Sequence, residues 1–110
     1  MKTAVCVCAK MENHYIREYV EYYKKLGFTN IILYDNNDID GEKFDEVVGD
    51  YINDNFIIVE NIRGEKGGIQ GYAFLNCIEK YEHNYDYIAF FDVDEFFRIR
   101  YIQQHSRIFV

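Results

Sequence analysis

Apolar positions along the chain switch repeatedly between the close spacing of strands and the three-to-four spacing of helices. Thr3 to Ala9 is a short apolar, β-branched run and reads as a strand. Asn13 is placed to cap a helix through about Leu26, on which Tyr15, Tyr19, Tyr22, Tyr23 and Leu26 are spaced as an inward stripe and after which Gly27 is a stop signal. Asn30 to Tyr34 predicts a second strand, closed by the polar loop Asp35-Asn36-Asn37-Asp38. Gly41 to Tyr51 contains a second helix with Phe44, Val47 and Val48 on one side, and Phe56 to Val59 makes a third strand. After a loop marked by Gly64, Gly67 and Gly68, a helix from about Ile69 to Tyr81 leads to the buried strand Tyr87-Ile88-Ala89-Phe90-Phe91. Strands that alternate with helices and are themselves almost continuously apolar predict an α/β fold. Its three layers are α/β/α, with a mostly parallel sheet covered on both faces, right-handed crossovers and the first strand central.

Composition narrows the function classes. At 110 residues the chain is one domain with a modest core, and 49% hydrophobic with 18% aromatic content places it among folded chains. A formal charge of −7 argues against a general nucleic-acid or anionic-membrane surface, so an acidic chain that handles phosphates needs a cation to mediate. Cys6, Cys8 and Cys77 are an odd number with no C-x-x-C, which excludes a disulfide scaffold or zinc site. Cys6 and Cys8 face one way along their strand and read as small buried hydrophobes, and free thiols predict a reducing, cytoplasmic setting. The apolar stretch after Met1-Lys2 is too short for a signal peptide, and no run has transmembrane length.

The densest chemistry is Asp92-Val93-Asp94, where the fourth strand ends. Carboxylates two residues apart on an extended backbone project to one side, and here they would deliver hard oxygen ligands to the carboxyl edge of the sheet. A second D-x-D, Asp38-Ile39-Asp40, lies in a polar loop with no strand before it. Spacing and context leave two readings of Asp92 and Asp94 open, a divalent cation carrying a phosphate and a solvated strand-end turn. In a parallel sheet the segments after each strand gather at one edge. They are Lys10-Met11-Glu12-Asn13, Asp35-Asn36-Asn37-Asp38, Asn61 to Gly68 and the Asp pair, and all are polar. Asp and Asn side chains can bond a base or ribose, and the glycines allow backbone N–H groups to approach a phosphate beside a helix N-terminus. Arg63 and Lys66 either supply charge there or form a solvated basic pair. No G-x-G-x-x-G follows the first strand, and there is no P-loop.

The stretch Ala4-Val5-Cys6-Val7-Cys8-Ala9-Lys10-Met11-Glu12-Asn13, the Tyr34-Asp35-Asn36-Asn37 loop and Phe90-Phe91-Asp92-Val93-Asp94-Glu95-Phe96 resemble the nucleotide-sugar half of GT-A glycosyltransferases, in particular the family 2-like and family 92-like branches. The order of motifs agrees across about residues 3 to 97. The resemblance implies the Rossmann-like half of a GT-A fold. It implies a UDP-sugar or similar donor, a Mn²⁺ or Mg²⁺ ion bridging its diphosphate, and transfer of the sugar to a glycan or other hydroxyl acceptor. It makes Asp35 and Asn36 the loop that contacts nucleobase or ribose, Glu12 the acidic residue after the first strand, and Gln70 and Tyr72 part of the helix backing the donor. Asp92 and Asp94 match the metal-binding pair, with Asp94 the closer ligand, and Lys10, Arg63 and Lys66 complete the donor-binding set. Met11 stands where an asparagine is commoner.

Residues 1–97 are therefore expected to form the nucleotide-sugar-binding half-domain and 98–110 a truncated tail. That tail offers His105, and the D-x-D segment offers Glu95, but neither is a convincing general base, so slow or absent transfer by the chain itself is expected. Two alternatives stay open, a donor-binding remnant without turnover and a flavodoxin-like or receiver-like signalling domain. A receiver needs acidic residues straight after its first strand and a lysine after a late strand, whereas Lys10 follows the first strand here and no late-strand lysine exists.

Overall fold

The computed structural model describes residues 1–93, so Asp94, Glu95, His105 and the 98–110 tail lie outside the described residues. The elements run β1 (Thr3–Ala9), α1 (Ile16–Leu26), β2 (Asn30–Asp35), α2 (Asp45–Asn53), β3 (Ile57–Asn61), α3 (Ile69–Tyr81) and β4 (Tyr87–Phe90). The four strands form one parallel sheet in the order β3-β2-β1-β4. This is the α/β, Rossmann-like architecture that the alternation predicts, with β1 in the interior. A flavodoxin-like or receiver-like sheet puts its third strand on the far side of the first from the second. Here β3 lies outside β2, which overturns that alternative.

The two-residue period of β1 divides its side chains between two cores. Val5, Val7 and Ala9 pack with α1 and α2 on one face, while Ala4 and Cys6, with Cys8 against them, pack on α3 on the other. Coverage of both faces is the physical reason these strands are apolar throughout rather than alternating. On the first face, Tyr23 stacks on Phe91 with ring centroids 5.7 Å apart and planes 10° from parallel. Tyr19 donates its hydroxyl hydrogen bond to the Phe91 carbonyl at 2.6 Å. The backbone just before Asp92 is thus fixed from below by α1.

Several local expectations are corrected. Asn13 does not cap α1, because Tyr15 occupies that position without a side-chain cap bond. Asn13 instead reaches across to the start of α2, where its Nδ2 donates to the Lys43 carbonyl at 3.1 Å, a tertiary partner that outcompetes the local one. The buried stripe of α1 is Ile16, Tyr19, Val20 and Tyr23, whereas Tyr15 and Leu26 at its ends are 44% and 52% exposed. The second helix starts inside the Gly41 to Tyr51 span, at Asp45 after a turn at Gly41, and runs on to Asn53, and β3 runs from Ile57 to Asn61. Gly27 does end α1, adopting φ 99°, a left-handed conformation that glycine takes without a Cβ penalty.

On the α3 side, Glu60 of β3 accepts a hydrogen bond from Lys80 Nζ at 2.6 Å and another from the Tyr81 hydroxyl, tying an edge strand to the helix above it. Burial opposes the charge of Glu60, but the bonds from Lys80 and Tyr81 outweigh it and hold the carboxyl below its ordinary value of 4.5. Folded Glu60 therefore binds its proton less readily than in the unfolded chain, so its stabilisation is present above that range and is lost as pH falls through it. Thermal melts should accordingly show Glu60→Gln less stable than wild type at pH 7, with the two curves converging by pH 3. A gap that stayed constant with pH would show that the charge is not what stabilises the contact.

Candidate functional site

Parallel pairing brings the strand ends level. Ala9 aligns with Asp35 and Asp35 with Asn61, and Cys6 aligns with Phe90, which puts Asp92 beside Cys8. The connections after β1, β2 and β3 and the Asp92 segment therefore open onto one edge. β1 lies at the point where successive strands stop adding on one side and β4 joins on the other, the place where such sheets bind ligands.

A cavity of about 310 Å³ at this edge is lined by Cys8, Ala9, Lys10, Glu12, Asn36, Gln70, Asp92 and Val93. Lys10, Glu12, Asn36, Gln70 and Asp92, all singled out in the sequence, thus share one cavity. An adjoining cavity of about 320 Å³ shares Cys8, Gln70 and Asp92 and continues over the apolar surface of Cys6, Ala73, Phe74 and Phe90. Arg63, Lys66 and Tyr72 lie elsewhere, on a third cavity of about 500 Å³ along the glycine loop. Asp35 lines none of these three, being 7% exposed.

Charges in the first cavity are mixed. Lys10 Nζ lies 3.4 Å from Asp38 Oδ1, an exposed pair of little energetic weight. Burial, and then the nearby charge of Asp92, push the Cys8 thiol above its ordinary range, so it stays protonated at neutral pH. Cys6 is held protonated by its hydrogen bond with Cys77 and by burial, in keeping with both as core thiols. Asp92, Glu12 and Asn36 present oxygen donors, the type a hard divalent cation takes, so the chemistry of the lining fits Mn²⁺ or Mg²⁺. Among the described residues no three His, Cys, Asp or Glu side chains cluster as a ready ligand set, and Asp94 lies outside them.

Behind the cavity, Asp35 is fully engaged. Its Oδ1 accepts from the backbone N–H and the Nδ2 of Asn37, at 3.0 and 2.9 Å, and its Oδ2 from Arg63 Nη1 at 2.9 Å. The Arg63 and Asp35 side chains are 16% and 10% exposed. Arg63 also donates to the carbonyls of Glu42 at 2.9 Å, Asp38 at 2.7 Å and Gly41 at 3.3 Å, gathering the loop that contains the second D-x-D. Its guanidinium is thus committed to carboxylate and carbonyl oxygens within the protein. Asn37, wholly buried, passes the connection on: its Oδ1 accepts from the Met11 N–H at 2.7 Å, and its carbonyl accepts from the Gly64 N–H at 3.0 Å.

Asn37 is the residue that sequence reasoning missed. The run Asp35-Asn36-Asn37 carried a signal, since Asp side chains bond the backbone two residues on, but nothing local says that the second asparagine would be buried. Met11 adopts φ 58°, a left-handed conformation costing roughly 1–2 kcal/mol for most side chains and less for asparagine. The departure noted at this position thus has a physical meaning. Met11→Asn should raise the unfolding free energy by about 1 kcal/mol in urea titrations, and a loss of stability would show that the Met11 side chain contributes more than its backbone costs.

The profile described as glycosyltransferase family 92 matches residues 2–109, so most of the 98–110 tail falls inside the match, beyond the stretch on which the motif resemblance drew. A glycosyltransferase family 92 protein of Arabidopsis thaliana is 29% identical over 101 residues, covering 88% of this chain and 17% of its own length. One of Ricinus communis is 29% identical over 110 residues, covering 94% and 17%, and one of Oryza sativa subsp. japonica is 24% identical over 99 residues, covering 84% and 16%. The chain thus spans about a sixth of the length of these relatives. No solved structure matches it. With the family profile matching nearly the whole sequence, this chain belongs to glycosyltransferase family 92.

Proposed function

We propose that this chain is the nucleotide-sugar-binding half of a GT-A-type glycosyltransferase, taking a UDP-sugar donor with a divalent cation at Asp92-Val93-Asp94 and serving transfer to a hydroxyl acceptor. The observation that carries the reading is the cavity at the carboxyl edge of β1. There Lys10, Glu12, Asn36, Gln70 and Asp92 converge from the connections after β1 and β2, the first turn of α3 and the end of β4. Family membership supports the sugar-transfer chemistry.

In this reading Asp92, with Asp94, holds Mn²⁺ or Mg²⁺, and the bound ion supplies Lewis-acid stabilisation of the charge on the departing nucleoside diphosphate. Lys10, which lines the same cavity, offsets phosphate charge and gives up its weak surface pair with Asp38 to do so. Asn36 and Gln70 offer amide groups to the nucleoside, and Glu12 a carboxylate to hydroxyls or to hydrated metal. No side chain of the cavity is assigned as the general base for the acceptor hydroxyl. Among the described residues no helix is long and apolar enough to cross a membrane.

Calorimetry tests the reading directly. Mn²⁺ should tighten UDP binding by about tenfold or more, and Asp92→Asn should remove that enhancement without lowering the melting temperature, since Asp92 is exposed. Equal UDP affinity with and without Mn²⁺ in the wild-type chain would overturn the metal-bridged donor.

A further inference from the structure

The structure assigns Cys6 of β1 and Cys77 of α3 as a redox pair, two buried thiols placed to close into a disulfide that ties an interior strand to the helix packed on it. The assignment does not depend on the nucleotide-sugar reading.

The side chains of β1 that pack toward α3 are Ala4, Cys6 and Cys8, and the buried residues of α3 are Ala73 and Cys77, one turn apart on one face. All five are small, so helix and strand can approach as closely as a disulfide requires, with Cβ atoms about 3.5–4.5 Å apart. Cys6 and Cys77 are free thiols, 4% and 0% exposed, joined by a hydrogen bond in which Cys6 donates. Sulfurs already in that contact need only a small side-chain rotation to bond. Cys8 is the third thiol, half-buried, and it lines both cavities beside Asp92. It is the odd cysteine that one Cys6–Cys77 bond leaves over.

The surroundings give the two sulfurs different parts. The bond from Cys6 pulls the Cys77 thiol below its ordinary value, against burial and the charge of Glu60, which makes Cys77 the readier nucleophile. Cys6 lines the cavity of about 320 Å³ with Ala73, Phe74 and Phe90, whereas Cys77 lines none of the three cavities. A small disulfide such as oxidised glutathione therefore enters on the Cys6 side. The Cys6 sulfur attacks one sulfur of the oxidant, whose S–S bond breaks, and the first glutathione leaves with the Cys6 proton. The Cys77 sulfur then attacks Cys6 Sγ, and the second glutathione leaves with the Cys77 proton. Two protein thiols are oxidised and one small disulfide is reduced to two thiols.

The test equilibrates the 110-residue chain with glutathione, oxidised form in excess. It is run on the folded chain and again during refolding from urea, which removes any barrier to entry of the oxidant. Free thiols are then alkylated, and tryptic peptides 3–10 and 67–80 are sought as a linked pair by mass spectrometry. Because Cys6 and Cys8 share the first peptide, Cys8→Ser and Cys6→Ser are treated alongside wild type, each checked for folding by circular dichroism.

Wild type and Cys8→Ser should show the linked pair in most chains, and linkage should raise the melting temperature by about 10 °C or more, because it closes a long loop of the unfolded chain. Cys6→Ser should leave Cys77 open to alkylation. Cys77 that stays alkylated in refolded wild type, a link that persists in Cys6→Ser through Cys8, or a link that lowers the melting temperature would each overturn the assignment.

Discussion

The carboxylate of Asp35, nearly withdrawn from solvent, is neutralised by Arg63 and satisfied at its other oxygen by Asn37. Taking one partner away from a buried ion pair costs about 3–5 kcal/mol, because the remaining charge is left without compensation. That is a large share of the roughly 5–15 kcal/mol by which a domain is stable at all. The pair also spends its hydrogen bonds on loops, which otherwise have little to hold them. Arg63 gathers the carbonyls of the loop after β2, and Asn37 holds the Met11 N–H after β1 and the Gly64 N–H after β3. The segments that wall the cavity are thereby tied to one buried point. Charges that sequence inspection offers to a ligand thus serve to shape its site.

The other support comes from the aromatic side of the core. Tyr19 and Tyr23 on α1 grip Phe91 by hydrogen bond and ring stacking, and Phe90 packs on Phe74 of α3 with centroids 4.1 Å apart. Successive residues of the β4 end are therefore held from opposite faces of the sheet. Asp92 follows them directly, so its exposed carboxylate leaves a rigid stem.

How much was legible in the sequence depended on the range of the interaction involved. Strands β1 and β2, helix α3 and the parallel order were readable because period and length respond to burial of whole faces, and the alternation of Cys6 and Cys8 with Val5 and Val7 reports two covered faces. Asp92 and the loop ends were readable for the same reason, since topology alone brings strand ends together. What failed was what a distant partner decides. Asn13 has a capping residue's identity but bonds Lys43 across the fold, and Tyr15 belongs to the period of α1 but stands at its N-cap, 44% exposed. Arg63 and Asp35 looked available because a sequence shows charges and not the neutralisation of one by the other. Asn37 sat in a turn signal that said nothing of its burial, since that burial follows from the convergence of three separate connections.

Native-state hydrogen exchange in wild type and Asp35→Asn tests the central claim, that one buried carboxylate organises the site's loops together. The account predicts that the Met11, Asn37 and Gly64 amides lose protection to a similar extent while those of Cys6 and Ile32 in the sheet stay protected. Loss confined to Asn37, with Met11 and Gly64 as protected as in wild type, would show that each loop is held independently and would contradict it.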